Sequence, residues 1–268
     1  AYRPIFGFFK PKNQIPGMEL SGVVQECGTK VGKFKPGDEV FGDSSDYAFG
    51  THAEYICLNE SSLLHKPECL SHKEAVCIPH AAGLAFQSLF TLGKLARGQK
   101  VLLNGAGGGV GAIGIQMAKY YDCEVTGVDS GEKLDSLLDL GCDKVLDYQK
   151  ENFTRKNEKY DLIIDCKTAQ SAFDYSRVLK KGGRYITVGG YTRKLISTVV
   201  LGNLIPGKSF KLLPLKTNHL IKEHLHLFEE GKIKCKIDGS YEFDEIPGLI
   251  QYFGEAKHKG KIVIKVPA

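Results

Sequence analysis

Lys100 to Tyr121 reads KVLLNGAGGGVGAIGIQMAKYY, and the fold is decided in this stretch. Val101 to Leu103 is a short apolar run of the kind that a parallel strand, buried on both faces, requires. Ala106, Gly108 and Gly111 then occupy the three small-residue positions of a dinucleotide fingerprint, with alanine in place of the first glycine. The residues that follow place Val110, Ile113, Met117 and Ala118 on one face, which is helical spacing, so the first backbone N–H groups of that helix would point at an anionic ligand. Gly107, Gly108, Gly109 and Val110 would let the backbone approach a pyrophosphate. Asp129 closes the next apolar run, Glu124 to Val128, 18 positions after Gly111, where a carboxylate can accept hydrogen bonds from an adenosine ribose. A glycine-rich turn alone is a weak signal. The strand before it, the helix after it and the acidic strand end make it a nucleotide site rather than a plain loop.

Outward from this stretch, short apolar runs alternate with helical patterns. Strands are predicted at Val101 to Asn104, Glu124 to Val128, Lys144 to Leu146, Leu162 to Asp165, Arg184 to Val188 and Phe210 to Leu213. Helices are predicted at Ala112 to Tyr121, Lys133 to Leu140, Ser171 to Leu179 and Ile196 to Leu204, with Gly141, Gly182 and Gly183 marking helix ends. Six strands joined by crossovers imply an α/β fold with a doubly wound parallel sheet. Residues 12 to 66 read instead as a small antiparallel β unit, its pieces at Gly22-Val23-Val24 and Glu39-Val40-Phe41 divided by glycine and proline turns. After a helix at His219 to Glu230 the chain returns to strands at Tyr241 to Phe243 and Lys261 to Val266, around a helix at Glu245 to Ala256. These join the β unit, so the expected domains are 1–80, 81–231 and 232–268, the first and last forming one discontinuous body.

With 268 residues and 42% hydrophobic content the chain can bury a substantial core. Its net charge of +5 comes from 36 basic and 31 acidic residues with no long basic run, which argues against a nucleic-acid partner. Eight cysteines, at 27, 57, 69, 77, 123, 142, 166 and 235, form no CxxC pair and read as reduced thiols of a cytoplasmic protein. No apolar run reaches membrane-spanning length. The chain does not begin with Met, which leaves an upstream targeting segment open.

Four motifs occur in order, the last of them the glycine turn itself: Gly17-Met18-Glu19-Leu20-Ser21-Gly22-Val23-Val24, Lys35-Pro36-Gly37-Asp38-Glu39-Val40-Phe41-Gly42, Phe49-Gly50-Thr51-His52-Ala53-Glu54-Tyr55 and Gly107-Gly108-Gly109-Val110-Gly111. Together with Gly189-Gly190 and Lys259-Gly260-Lys261-Ile262-Val263 they resemble the medium-chain dehydrogenase/reductase superfamily, in particular its zinc-independent quinone oxidoreductase branch. The resemblance implies a GroES-like β domain, here N-terminally incomplete, and a Rossmann domain, enclosing a cleft in which NAD(P)H passes hydride to a quinone, enone or related carbonyl. Family members usually carry further β strands before the segment that opens here at Ala1; a unit without them would expose unpaired sheet edges. Zinc-dependent members have Gly-His-Glu where this chain has Gly17-Met18-Glu19, and a thioether is a poor zinc ligand, so a zinc-free site is expected.

By charge, Asp129 favours the unphosphorylated ribose of NADH, because its carboxylate would repel a 2′-phosphate. The resemblance points the other way, since Ser130, Lys133 and Tyr148 match the 2′-phosphate pocket of NADPH-using relatives, so the cofactor is NAD(P)H with little preference. Cys166, Val188, Gly189 and Gly190 follow strands at the carboxyl edge of the sheet, where ligands bind in such folds. His80, near a family zinc-ligand position, is the candidate proton donor, against the plainer reading of a histidine satisfying backbone groups where a helix begins. Phe41, Tyr47 and Phe49 are candidates for an apolar substrate wall. The partner is a small-molecule quinone or enone, and a homodimer is open. Two alternatives differ in class: an NAD(P)H-binding sensor or crystallin-like protein without turnover, and an alcohol dehydrogenase or carbonyl reductase.

Overall fold

The computed structural model of the chain describes residues 14–47, 49–190 and 192–267. In chain order the elements are β1 (Glu19–Val23), β2 (Glu39–Asp43), β3 (Leu63–His65), α1 (His72–Ala75), α2 (Pro79–Phe86), β4 (Lys100–Asn104), α3 (Gly109–Tyr120), β5 (Glu124–Asp129), α4 (Leu134–Asp139), β6 (Lys144–Asp147), β7 (Tyr160–Asp165), α5 (Ala172–Val178), β8 (Leu179–Thr187), α6 (Thr192–Gly202), β9 (Ser209–Leu212), α7 (Ile221–Glu229), β10 (Ile237–Glu242), α8 (Ile246–Gly254) and β11 (Lys261–Lys265). Two compact units result. One holds the residues up to Gly83 together with those from Lys216 onward; the other is Leu84–Leu215.

The second unit is a six-stranded parallel sheet in the order β6-β5-β4-β7-β8-β9, the doubly wound arrangement expected from the sequence. Strand order reverses at β4, which is paired on one side with β5 and on the other with β7. Because both faces of these strands are covered, their sequences are continuous apolar runs: Val101, Leu102 and Leu103, then Leu162, Ile163 and Ile164, are fully buried. One core cluster gathers Leu102, Val128, Ile163, Val178 and Phe210 around Tyr175 and Tyr185. The two tyrosine rings lie 4.4 Å apart, and Phe210 stands 5.0 Å beyond Tyr185.

Two local expectations are corrected here. Gly182 and Gly183 do not end a helix: α5 has stopped at Val178, and the glycines lie within β8, where the pairing with β7 shifts register and Gly182 takes φ +79°. The segment Pro79–Leu92, for which only a helix entry near His80 was expected and no bounds were drawn, forms α2 and then a π-helical turn over Gln87–Leu92. Its near-uniform apolar character leaves no polar face for a helical period to show.

In the first unit β1, β2 and β3 form an antiparallel sheet. The strands at the end of the chain make a separate two-stranded sheet in which β10 and β11 are parallel, a pairing that the crossover through α8 permits. An apolar groove of about 2330 Å³ lies in this unit, lined by residues including Leu20, Val40, Phe49, Ile250, Phe253 and Ile264. The start of the β segment expected at residue 12 falls outside the described residues.

Candidate functional site

The glycine turn stands at the carboxyl end of β4, the point where strand order reverses. Gly105 makes the turn itself, at φ +81°, and its N–H and that of Ala106 both donate to the Val128 carbonyl at 2.9 and 3.1 Å. Sequence reading had found no first glycine in the fingerprint; the left-handed position lies one residue earlier, at Gly105. Gly111 serves packing, since a Cβ there would lie 2.4 Å from the Ala106 carbonyl oxygen, and Gly114 likewise clears Leu103. At Gly108 the case is different. A Cβ would meet protein only at 3.8 Å, so the space beside this backbone is open.

Gly108 is also the N-cap of α3, and it offers the first-turn N–H groups no side-chain acceptor. Ser71 and Ser171 close α1 and α5 with full capping boxes, whereas α4, α7 and α8, like α3, begin without a side-chain cap. A twelve-residue helix with an uncapped start and open space beside it, at the switch point of a doubly wound sheet, fits the pyrophosphate of a dinucleotide. Gly107, Gly109 and Val110 lie in the same turn and first helical turn.

Asp129 ends β5 beside this turn, only 6% exposed. Its carboxylate accepts from the Gly107 N–H at 2.7 Å and from the Ser130 N–H at 2.9 Å, and lies 3.5 Å from the ammonium of the equally buried Lys133. A Cβ on Gly107 would strike the Lys133 side chain at 2.6 Å, so the pair sits tightly under the turn. The carboxylate is therefore neutralised within the protein, and the charge argument favouring NADH over NADPH loses its basis. Tyr148 donates its backbone N–H to the Asp129 carbonyl and leaves its ring more than half exposed.

Cys166 follows β7, packed between two glycines: a Cβ on Gly105 would lie 3.0 Å from its Cβ, and one on Gly189 would lie 3.0 Å from its carbonyl oxygen. Burial pushes the Cys166 thiol up to about 12, which leaves it protonated and unreactive at neutral pH. Val188 donates its N–H to the Asp165 carbonyl, and Gly190 takes φ +134° beside the Lys167 carbonyl. The structure thus brings together on one sheet edge the glycine turn, Asp129, Ser130, Lys133, Tyr148, Cys166 and Val188 to Gly190. Asp165 and Thr168, buried in the same edge, were missed. A signal existed: β5, β6 and β7 are apolar runs that each end in a buried aspartate, Asp129, Asp147 and Asp165.

In the first unit His80 lies in the first turn of α2. Its N–H donates to a Glu19 carboxylate oxygen at 3.0 Å and its Nδ1 lies 2.7 Å from Asp43 Oδ2, with the ring partly exposed. Burial acts to raise the Asp43 carboxyl, but hydrogen bonds from His80 and Ser45 outweigh it and hold the group below its ordinary value. Asn218 fixes the Asp43 backbone, accepting from its N–H and donating to its carbonyl. Glu19 also pairs with the ammonium of Lys261; burial opposes that charge, and the carboxylate overrides it and raises the lysine above its usual value. Of the three aromatic candidates only Phe49 lines the apolar groove: Phe41 is fully buried in β2, and Tyr47 is exposed with its hydroxyl on Ser61.

A catalytic zinc does not fit this donor set. Met18 replaces one imidazole, Glu19 is held by Lys261 and the His80 N–H, and His80 is held by Asp43. Among the described residues no three His, Cys, Asp or Glu side chains converge to hold a metal ion. All eight cysteines are free, and no described helix is long and apolar enough to cross a membrane.

Comparison with known proteins agrees with this architecture. The family model of zinc-binding dehydrogenases matches residues 140–264, and that of the alcohol dehydrogenase GroES-like domain matches residues 4–68. The 2-methylene-furan-3-one reductase of Solanum lycopersicum is 32% identical over 264 residues, covering 95% of this chain and 64% of that protein. The chain belongs to the medium-chain dehydrogenase/reductase superfamily. Its antiparallel sheet is accordingly that of a GroES-like domain and its parallel sheet a Rossmann fold. A second superfamily member, the chloroplastic NADPH-dependent alkenal/one oxidoreductase of Arabidopsis thaliana, is 30% identical over 95% of this chain and 64% of its own length. The structure of the quinone oxidoreductase from Coxiella burnetii superposes with a TM-score of 0.87 at 25% identity, over 94% of this chain and 79% of that one. The chain therefore spans a little under two thirds of the two plant reductases.

Proposed function

We propose that this protein is an NAD(P)H-dependent oxidoreductase that works without zinc and reduces a quinone or the activated double bond of an enone. The observation that carries the reading is the uncapped start of α3 over an open glycine turn at the sheet's switch point. The names of the plant relatives, a furanone reductase and an alkenal/one oxidoreductase, favour an enone; the Coxiella burnetii structure, a quinone oxidoreductase, keeps quinones in view.

When bound, NAD(P)H supplies a hydride from C4 of its nicotinamide. The protein's part is to hold and orient. The N–H groups around Gly108 to Gly111 bind the pyrophosphate, and the Asp129–Lys133 pair with Ser130 and Tyr148 borders the adenosine ribose. His80 remains the candidate proton donor: Asp43 engages its Nδ1, so Nε2 is the atom that would deliver a proton to the reduced substrate. No protein nucleophile is required. The donor set around Met18 supports a reaction without a Lewis-acid metal.

Fluorescence titration of the complete gene product with NADH and NADPH, followed by a panel of enones and quinones, tests this. Nucleotide binding with turnover of at least one acceptor is expected, unchanged by exhaustive chelation. Binding without any turnover would make the protein a nucleotide-binding sensor, and activity restored only by Zn²⁺ would overturn the zinc-free mechanism.

A further inference from the structure

Asp165, at the end of β7, is fully buried. Its Oδ1 accepts three hydrogen bonds, from Asn104 Nδ2 at 2.8 Å and from the N–H groups of Lys167 and Thr168 at 2.9 Å each; its Oδ2 accepts from the Tyr185 hydroxyl at 2.7 Å. All four donors are neutral. Burying a carboxylate among neutral donors is costly, and an apolar residue would close a core at this position more cheaply. What the carboxylate provides is a backbone path. The two N–H groups it takes bend residues 166–168 so that Thr168 sits at φ +46°, a conformation that a β-branched residue rarely adopts.

The strained Thr168 is itself tied down. Fully buried, its hydroxyl lies 2.6 Å from the Thr187 hydroxyl and donates to the Gly189 carbonyl at 2.7 Å. Asp165 thus joins the end of β4, through Asn104, to the loop after β7, and Thr168 joins that loop to the one after β8. Contact is close enough that a Cβ on Gly190 would lie 2.7 Å from the Lys167 carbonyl oxygen. Strain and a buried anion of this kind are kept where the surroundings need one fixed shape.

The sheet order says what that shape serves. Asp129 lies on the β5 side of the switch point and the α3 start lies at β4, so a dinucleotide with its adenosine by β5 and its pyrophosphate on α3 extends its other half across the ends of β7 and β8. Resting on the nucleotide-binding reading above, we propose that Asp165 and Thr168 are positioning residues for the nicotinamide half, holding the loops 166–168 and 188–190 in register for it.

The test compares a whole and a half ligand. Kd is measured for the dinucleotide that the parent binds, NADPH or NADH, and for the matching ADP-ribose with or without its 2′-phosphate, which lacks nicotinamide. Asp165→Asn and Thr168→Val should each weaken the dinucleotide by about tenfold or more, since each disturbs hydrogen bonds to a buried group, while ADP-ribose binding stays within about twofold. Thr168→Ser, which keeps the hydroxyl, should bind both as the parent does. Equal losses for the two ligands would show a merely structural role and overturn the assignment, as would unchanged affinity for both. If Asp165→Asn does not fold, the Thr168 pair still decides. A parent that binds neither ligand would sink the nucleotide reading itself and this inference with it.

Discussion

Gly108 and Asp129 sit side by side and call for opposite outcomes on substitution. At Gly108 the protein leaves room, at φ −85° and ψ 175°, so Gly108→Val should fold with at most a small capping penalty. The new isopropyl group would fill the space a pyrophosphate needs, and binding of NADH and NADPH should fall together; a folded variant with parental affinity for both would falsify the assignment of the turn. Asp129→Ser acts on charge. It removes one carboxylate beside the buried Lys133 and one brace of the Gly107 N–H, so absolute affinities should drop while the positive charge, no longer offset by Asp129, favours a 2′-phosphate. The NADH-to-NADPH ratio of dissociation constants should then rise, by an amount equivalent to roughly 1.5–3 kcal/mol for one charge-assisted contact. Four titrations suffice, and a ratio that stays put would place Lys133 away from the nucleotide.

At the scale of elements, α3 lies on β4 only because its inner face carries glycines. Gly111 meets the backbone of Ala106 and Gly114 meets Leu103, so the helix start is pressed against the strand that feeds it. Gly111→Ala should improve helix propensity yet force this contact apart, costing roughly 1–3 kcal/mol net by overpacking. Urea unfolding would register the loss, and a variant as stable as the parent would show that α3 can shift without cost. The helix also explains why its cap is bare: a Ser at 108 would satisfy the first-turn N–H groups internally, as Ser71 and Ser171 do, and leave fewer for a ligand. Gly108→Ser should accordingly raise thermal stability by a few tenths of a kcal/mol relative to Gly and weaken nucleotide binding. Calorimetry and titration on the same sample check both halves, and a gain in stability with no loss of affinity would mean that the helix start is not the anion site.

For the molecule as a whole, ionisation sets the pH range of stability. Asp43 and Asp143 are held below the ordinary value of 3.8, so what they contribute is present above it and is lost as pH falls through their lower folded values. Lys261 is raised above 10.5, so its contribution is complete below that pH and fades as pH rises through the higher folded value. Asp43→Asn should therefore cost roughly 1–3 kcal/mol near neutrality and progressively less as pH falls below 3.8, narrowing the difference in urea midpoint between neutral and acid conditions. An equal loss at both would assign the effect to packing. Local chemistry along the chain was enough to specify the parallel sheet, the glycine turn that joins β4 to α3 and the family, because strand burial, helical spacing and glycine turns depend on neighbours within about thirty residues. Met18 alone pointed away from zinc. The partners of each polar group came only with packing: Asp129 turned inward onto Gly107 and Lys133, His80 met Asp43 across 37 positions of sequence, and Asp165 gathered Asn104, Thr168 and Tyr185. Which lone pair meets which donor depends on distances of a few ångströms between segments far apart in the chain, and no periodicity records these.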